Sequence, residues 1–163
     1  MAAAGFRTSL RPAGSCHCGA VEVDLDLTGA PADMPLRACQ CDFCGHRGAR
    51  TTSDKGGLAT IRTDRPESLL RYRFGFRTAD YLLCASCGTY VAAVQADDPP
   101  IAVVNVGGLG VPEFEGREPI PVDHAGETLE ARATRRRSYW MPVAIAYSAE
   151  SRPAPAPEVA ARG

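Results

Sequence analysis

The chain has 163 residues, 45% of them hydrophobic and 23% charged, with a formal net charge of −1. That length suits one domain with one core, and the balanced charge excludes a global field that would draw nucleic acid or an acidic membrane surface. No apolar run approaches the roughly 20 residues of a spanning helix, and Met1 to Arg7 lack the apolar core of a signal peptide, so the expected location is cytoplasmic.

The 16 glycines and 13 prolines call for many turns and favour a mainly β fold with few or no long helices. Residues 1–13 read as a flexible lead-in. Val21 to Leu27 alternates apolar and acidic residues, the period of a strand with one face on a core. Gly29 to Asp33 breaks it, and a loop of cysteines and glycines runs from Cys39 to Gly48. Leu69 to Phe76, Tyr81 to Cys84 and Tyr90 to Gln95 read as strands, the last two forming a hairpin with Cys84-Ala85-Ser86-Cys87-Gly88 at its turn. Asp97-Asp98-Pro99-Pro100 is a turn and Ile101 to Val106 a β-branched strand. Prolines and glycines interrupt Val111 to Gly126. Arg132 to Ala146 reads as a last strand or an irregular arm around Trp140, with the run Arg135 to Arg137 as a solvated strand end or loop. The domain is expected over residues 14–147, with a Pro/Ala-rich disordered tail over 148–163.

The seven cysteines cannot all pair as disulfides, and in a reducing compartment clustered cysteines are more often metal ligands. They fall into Cys16-His17-Cys18, Cys39-Gln40-Cys41-Asp42-Phe43-Cys44 and Cys84-Ala85-Ser86-Cys87. Two thiolates two residues apart can grip one tetrahedral Zn2+ from a tight turn, and a glycine after the second supplies positive φ. One such pair needs a second, and Cys16 with Cys18 is the natural partner of Cys84 with Cys87, giving a closed four-sulfur site that acts in folding. Cys39, Cys41 and Cys44 then supply three ligands, the usual complement of a zinc with an open position. Three thiolates on Zn2+ make a soft, electron-rich centre suited to a substrate thiol. A structural site closed by His46 or Asp42 is the rival. His46, two residues past the cluster, and Arg47 are the local candidates for moving a proton or binding an anionic group. His17 is expected to point away from the ligands, and His124 has no assigned role.

Gly14-Ser15-Cys16-His17-Cys18-Gly19-Ala20-Val21, followed by the C-x-C-x-x-C and C-x-x-C-G-T segments, resembles the glutathione-dependent formaldehyde-activating (GFA) family, which includes centromere protein V-like proteins. The similarity runs over roughly residues 14 to 110. The resemblance implies an Mss4-like β-sheet fold with two zinc sites, Cys16, Cys18, Cys84 and Cys87 structural and Cys39, Cys41 and Cys44 active. It implies a carbon–sulfur lyase that forms S-hydroxymethylglutathione, with a small-molecule thiol and/or aldehyde as partner; the charge balance and the lack of a long apolar run already argue against nucleic acid and membrane as partners. Gln40, Gly45-His46-Arg47 and Leu82-Leu83 depart from the family's usual residues around the second site, which bears on the substrate rather than the fold. A non-catalytic zinc-stabilised binding module is the alternative function, and a homodimer is compatible with a small β domain.

Overall fold

The computed structural model describes residues 11–148. Ten residues of the expected lead-in, and all of the expected tail except Ser148, lie outside the described residues. The chain forms β1 (Ala13–Ser15), β2 (Val21–Asp26), β3 (Arg37–Cys39), the single turn α1 (Asp42–Gly45) and β4 (Leu58–Thr63). It continues through β5 (Leu69–Tyr72), β6 (Asp80–Cys84), β7 (Tyr90–Gln95), β8 (Ile101–Val104), β9 (Ile120–Val122), α2 (Leu129–Tyr139) and β10 (Met141–Tyr147). Eight strands make one sheet in the order β1-β2-β4-β10-β8-β7-β6-β5, and β3 pairs with β9 in a small parallel ribbon. The fold is mainly β, as the composition implies.

β2 behaves as its alternation requires: Val21, Val23 and Leu25 are fully buried while Glu22 and Asp26 face water. It pairs antiparallel with β4, whose Ala59 and Ile61 enter the same core. β10 runs parallel to β4 and touches β8 only through Met141 and Pro142, so it joins the two halves of the sheet. The hairpin at Cys84–Gly88 is present, with a register shift between Leu82 and Leu83. β5 stops at Tyr72 rather than Phe76, because Gly75 (φ 57°) and Arg77 (φ 58°) turn the chain back toward β6.

β7 is buried at every position, which means both faces of the sheet are covered there. Leu82, Ala92, Val94, Ala102 and Val104 face the main core. Tyr81, Tyr90, Ala93 and Val103 face the other way, into a cavity roofed by α2 and the Cys39–Cys44 loop. Asn105, 2% exposed, ties the segment that follows that loop to the hairpin. Its Oδ1 accepts from the amides of Arg50 (3.0 Å) and Gly108 (3.3 Å), and its Nδ2 donates to the Tyr90 carbonyl (2.9 Å). Asn105→Ala strands buried backbone groups and is expected to cost about 3 kcal/mol in urea unfolding; a cost within the scatter of surface substitutions would contradict that role.

The expectation for residues 132–146 is corrected. An eleven-residue helix precedes the strand, and Arg135 to Arg137 lie in its last two turns rather than in a solvated loop. The Thr128 hydroxyl caps it by accepting from the Ala131 amide at 3.1 Å. Only Arg137 of that run is exposed; Arg136 is 4% exposed.

Candidate metal centres and active-site cavity

The first and third cysteine clusters meet. The Sγ atoms of Cys16, Cys18, Cys84 and Cys87 all lie within 4.8 Å of one another, although Cys18 and Cys84 are 66 positions apart in the chain. Both halves are tight turns closed by backbone bonds, the second one residue longer between its cysteines. The Cys16 amide donates to the Val21 carbonyl and the Gly19 amide to Cys16; the Cys84 amide donates to Thr89 and the Gly88 amide to Cys84. Gly19 (φ 81°) and Gly88 (φ 75°) take the positive-φ position in each turn, as the spacing predicts for Gly88. The Cys16–Cys18 and Cys18–Cys84 sulfurs are 3.6 Å apart, close to the roughly 3.8 Å edge of a tetrahedron with Zn–S arms of about 2.3 Å. The Val21 amide donates to the Cys16 sulfur at 3.3 Å. Burial pushes the Cys16 thiol up to about 12, while hydrogen bonds from Thr89 hold Cys87 down to about 5. The four-sulfur set fits a soft divalent ion such as zinc.

Cys39, Cys41 and Cys44 form a second group within 4.8 Å, which no other His, Asp or Glu donor joins among the described residues. Cys39 ends β3, Cys41 caps α1 and Cys44 lies inside it, so one tight turn presents all three. The Gly45 amide donates to the Cys41 carbonyl at 2.8 Å and the Ala49 amide to Cys44 at 3.0 Å, closing the loop. A hydrogen bond from Cys44 holds Cys39 down to about 5; the same contact, with burial, drives Cys44 well above the usual thiol range. Burial and the Cys39 charge raise Cys41. Three crowded sulfurs that cannot all ionise by themselves are a donor set that calls for a cation, and each of the two groups could hold a metal ion.

The second group opens on a cavity of about 130 Å³. Phe74, Tyr81, Tyr90 and Trp140 supply apolar wall, and burial raises both phenols, Tyr81 to about 12, so they remain neutral donors. His124 reaches the cavity because β9 sets Val122 beside Cys39, two residues before it. Burial and Arg135 hold His124 below the ordinary imidazole value. Arg37, Arg132, Arg135 and Arg136 complete the lining.

Of the residues picked out in sequence, the three cysteines converge as expected. His46 and Arg47 line a separate outer groove with Asp42, Phe43, Leu70 and Tyr72, which touches the cluster at Cys41. His46 is exposed; Arg47 donates to the Phe43 carbonyl at 3.1 Å, its guanidinium 4.0 Å from the Phe43 ring. Phe76 is 49% exposed and stacks on Arg132. His124 and the arginines of α2 were not assigned to the site; the signal for them was the Arg132, Arg135, Arg136 spacing, which places three cations on one helix face.

Residues 11–120 match the family described as glutathione-dependent formaldehyde-activating enzyme. The crystal structure of a Rhodobacter sphaeroides protein is 35% identical, covering 67% of this chain and 97% of that one, with a TM-score of 0.47. No match was found among the curated proteins compared. With the match spanning both knuckles and the three-cysteine loop, the chain belongs to the glutathione-dependent formaldehyde-activating family.

Proposed function

We propose that the protein is a zinc-dependent carbon–sulfur lyase-type enzyme acting on a small thiol or thiol–aldehyde adduct. The observation that carries this reading is the convergence of three thiols on one wall of a cavity that also holds an imidazole and several guanidinium groups. A zinc ion held by Cys39, Cys41 and Cys44 would supply Lewis acidity and a further coordination position. In the forward direction the thiol S–H and the carbonyl C=O combine. The S–C bond forms, the carbonyl π bond opens, and the sulfur's proton ends on oxygen; cleavage is the reverse.

His124 is the group we assign to that proton. It borders the same cavity as all three cysteines, and its lowered pKa leaves the imidazole neutral near pH 7 and able to accept. Tyr81 and Tyr90 line the same cavity and are the phenols we assign as donors to the carbonyl oxygen. His46 and Arg47 line the outer groove that also touches Cys41 and are the rival pair. His124→Asn is expected to lower kcat by about 10²–10⁴, and His46→Asn by no more than a few fold, on the best thiol–aldehyde pair. The opposite ranking would hand proton transfer to His46 and Arg47.

The second reading is a zinc-stabilised binding module without catalysis, since fold alone does not decide function. Zinc-loaded protein that consumes no thiol–aldehyde pair from a broad panel would favour it.

A further inference from the structure

From α2 we infer that the cavity selects a small carboxylate-bearing ligand, a mercapto acid or its aldehyde adduct, whose anionic group is held by Arg136 and Arg37; this rests on the cavity being the substrate site. Helix α2 turns Arg132, Arg135 and Arg136 toward the cavity while Leu129 and Tyr139 are exposed, the reverse of an ordinary amphipathic helix. Cations placed where a helix normally buries apolar side chains are costly unless they meet an anion.

The anions at hand do not balance them. Glu127 takes Arg135 in a bidentate pair at 2.5 and 2.9 Å and also pairs with Arg132 at 3.4 Å. Arg136 and Arg37 have no carboxylate partner among the described residues. Arg136 is 4% exposed; its Nη1 donates to Thr78 Oγ1 at 2.8 Å and to Gln95 Oε1 at 3.3 Å, its guanidinium lies 4.8 Å from the Trp140 ring, and its Nε has no hydrogen-bond partner. Among the described residues the half-buried Arg37 guanidinium meets only the Tyr139 ring, 5.6 Å away. Burial lowers the pKa of both, yet an arginine keeps its charge. Four guanidinium groups give +4, Glu127 gives −1, and three thiolates with one divalent ion give −1. The surplus is +2.

Mercaptoacetate is a minimal ligand of this class, with a sulfur for the cysteine end of the cavity and a carboxylate for the arginine end.

The test compares mercaptoacetate with 2-mercaptoacetamide, equal in size and differing in charge, on zinc-loaded protein. Trp140 is the only tryptophan of the chain and lines the cavity, so its fluorescence reads binding without turnover. The acid should bind at least about tenfold more tightly, and Arg136→Gln and Arg37→Gln should each reduce that preference below about threefold while leaving the amide's affinity in place. Arg37→Gln carries the test if the buried Arg136 variant does not fold. Equal binding of acid and amide, or a preference that survives both substitutions, overturns the inference. Turnover of formaldehyde with each thiol is measured in parallel. Acid-selective binding without turnover sinks the lyase reading and keeps the anion site; turnover without acid preference does the reverse.

Discussion

Cys84→Ser is expected to give a chain with no cooperative thermal transition. Cys84 is fully buried in the main core, and its sulfur closes a four-sulfur group that ties the strand before β2 to the β6–β7 hairpin. A structural zinc contributes on the order of 10–16 kcal/mol of binding free energy, against a typical domain stability of about 5–15 kcal/mol. Loss of one ligand from such a site therefore removes a large share of what holds the fold. Chelation of the wild type should have the same consequence, read as loss of near-ultraviolet circular dichroism. A Cys84→Ser protein that melts cooperatively at the wild-type temperature would show that the four sulfurs do not hold a structural metal.

Cys44→Ser should do something different: leave the fold intact and abolish turnover. Cys44 belongs to a small cluster with Phe43, Ala49 and Tyr90 on the opposite side of the hairpin from the main core. Its loop is closed by backbone bonds from Gly45, His46 and Ala49 that need no metal. If the centre supplies several kcal/mol of transition-state stabilisation, its loss costs about 10³-fold or more in kcat/KM. The melting temperature should move by only a few degrees. Retained turnover in a folded Cys44→Ser protein would remove the three-cysteine group from the chemistry.

The cysteines were legible because ligand spacing is a local property: Cys16 with Cys18, Cys84 with Cys87 and the Cys39–Cys44 loop announce their chemistry whatever surrounds them. β2 was legible for a similar reason, since Val21, Val23 and Leu25 are strongly apolar and stand between acidic residues. β4 left no such trace. Its inward positions are Ala59, Ile61 and Thr63, too weakly apolar together to mark a face. The helix α2 was hidden for a more informative reason. Hydropathy finds a helix by its apolar stripe, and here the inward stripe is Arg132, Arg135 and Arg136 because that face lines the cavity beside the three-cysteine group rather than a core. His124 was silent as well. Its place depends on β9 pairing in parallel with β3, a contact between segments some eighty residues apart that neither segment's composition predicts.

Metal content tests the central claim most directly. Elemental analysis of the wild type and of Cys41→Ser, both confirmed folded, should find two zinc ions per chain falling to one. One zinc in both proteins would contradict the account, because the three-cysteine group would then not be a metal centre at all.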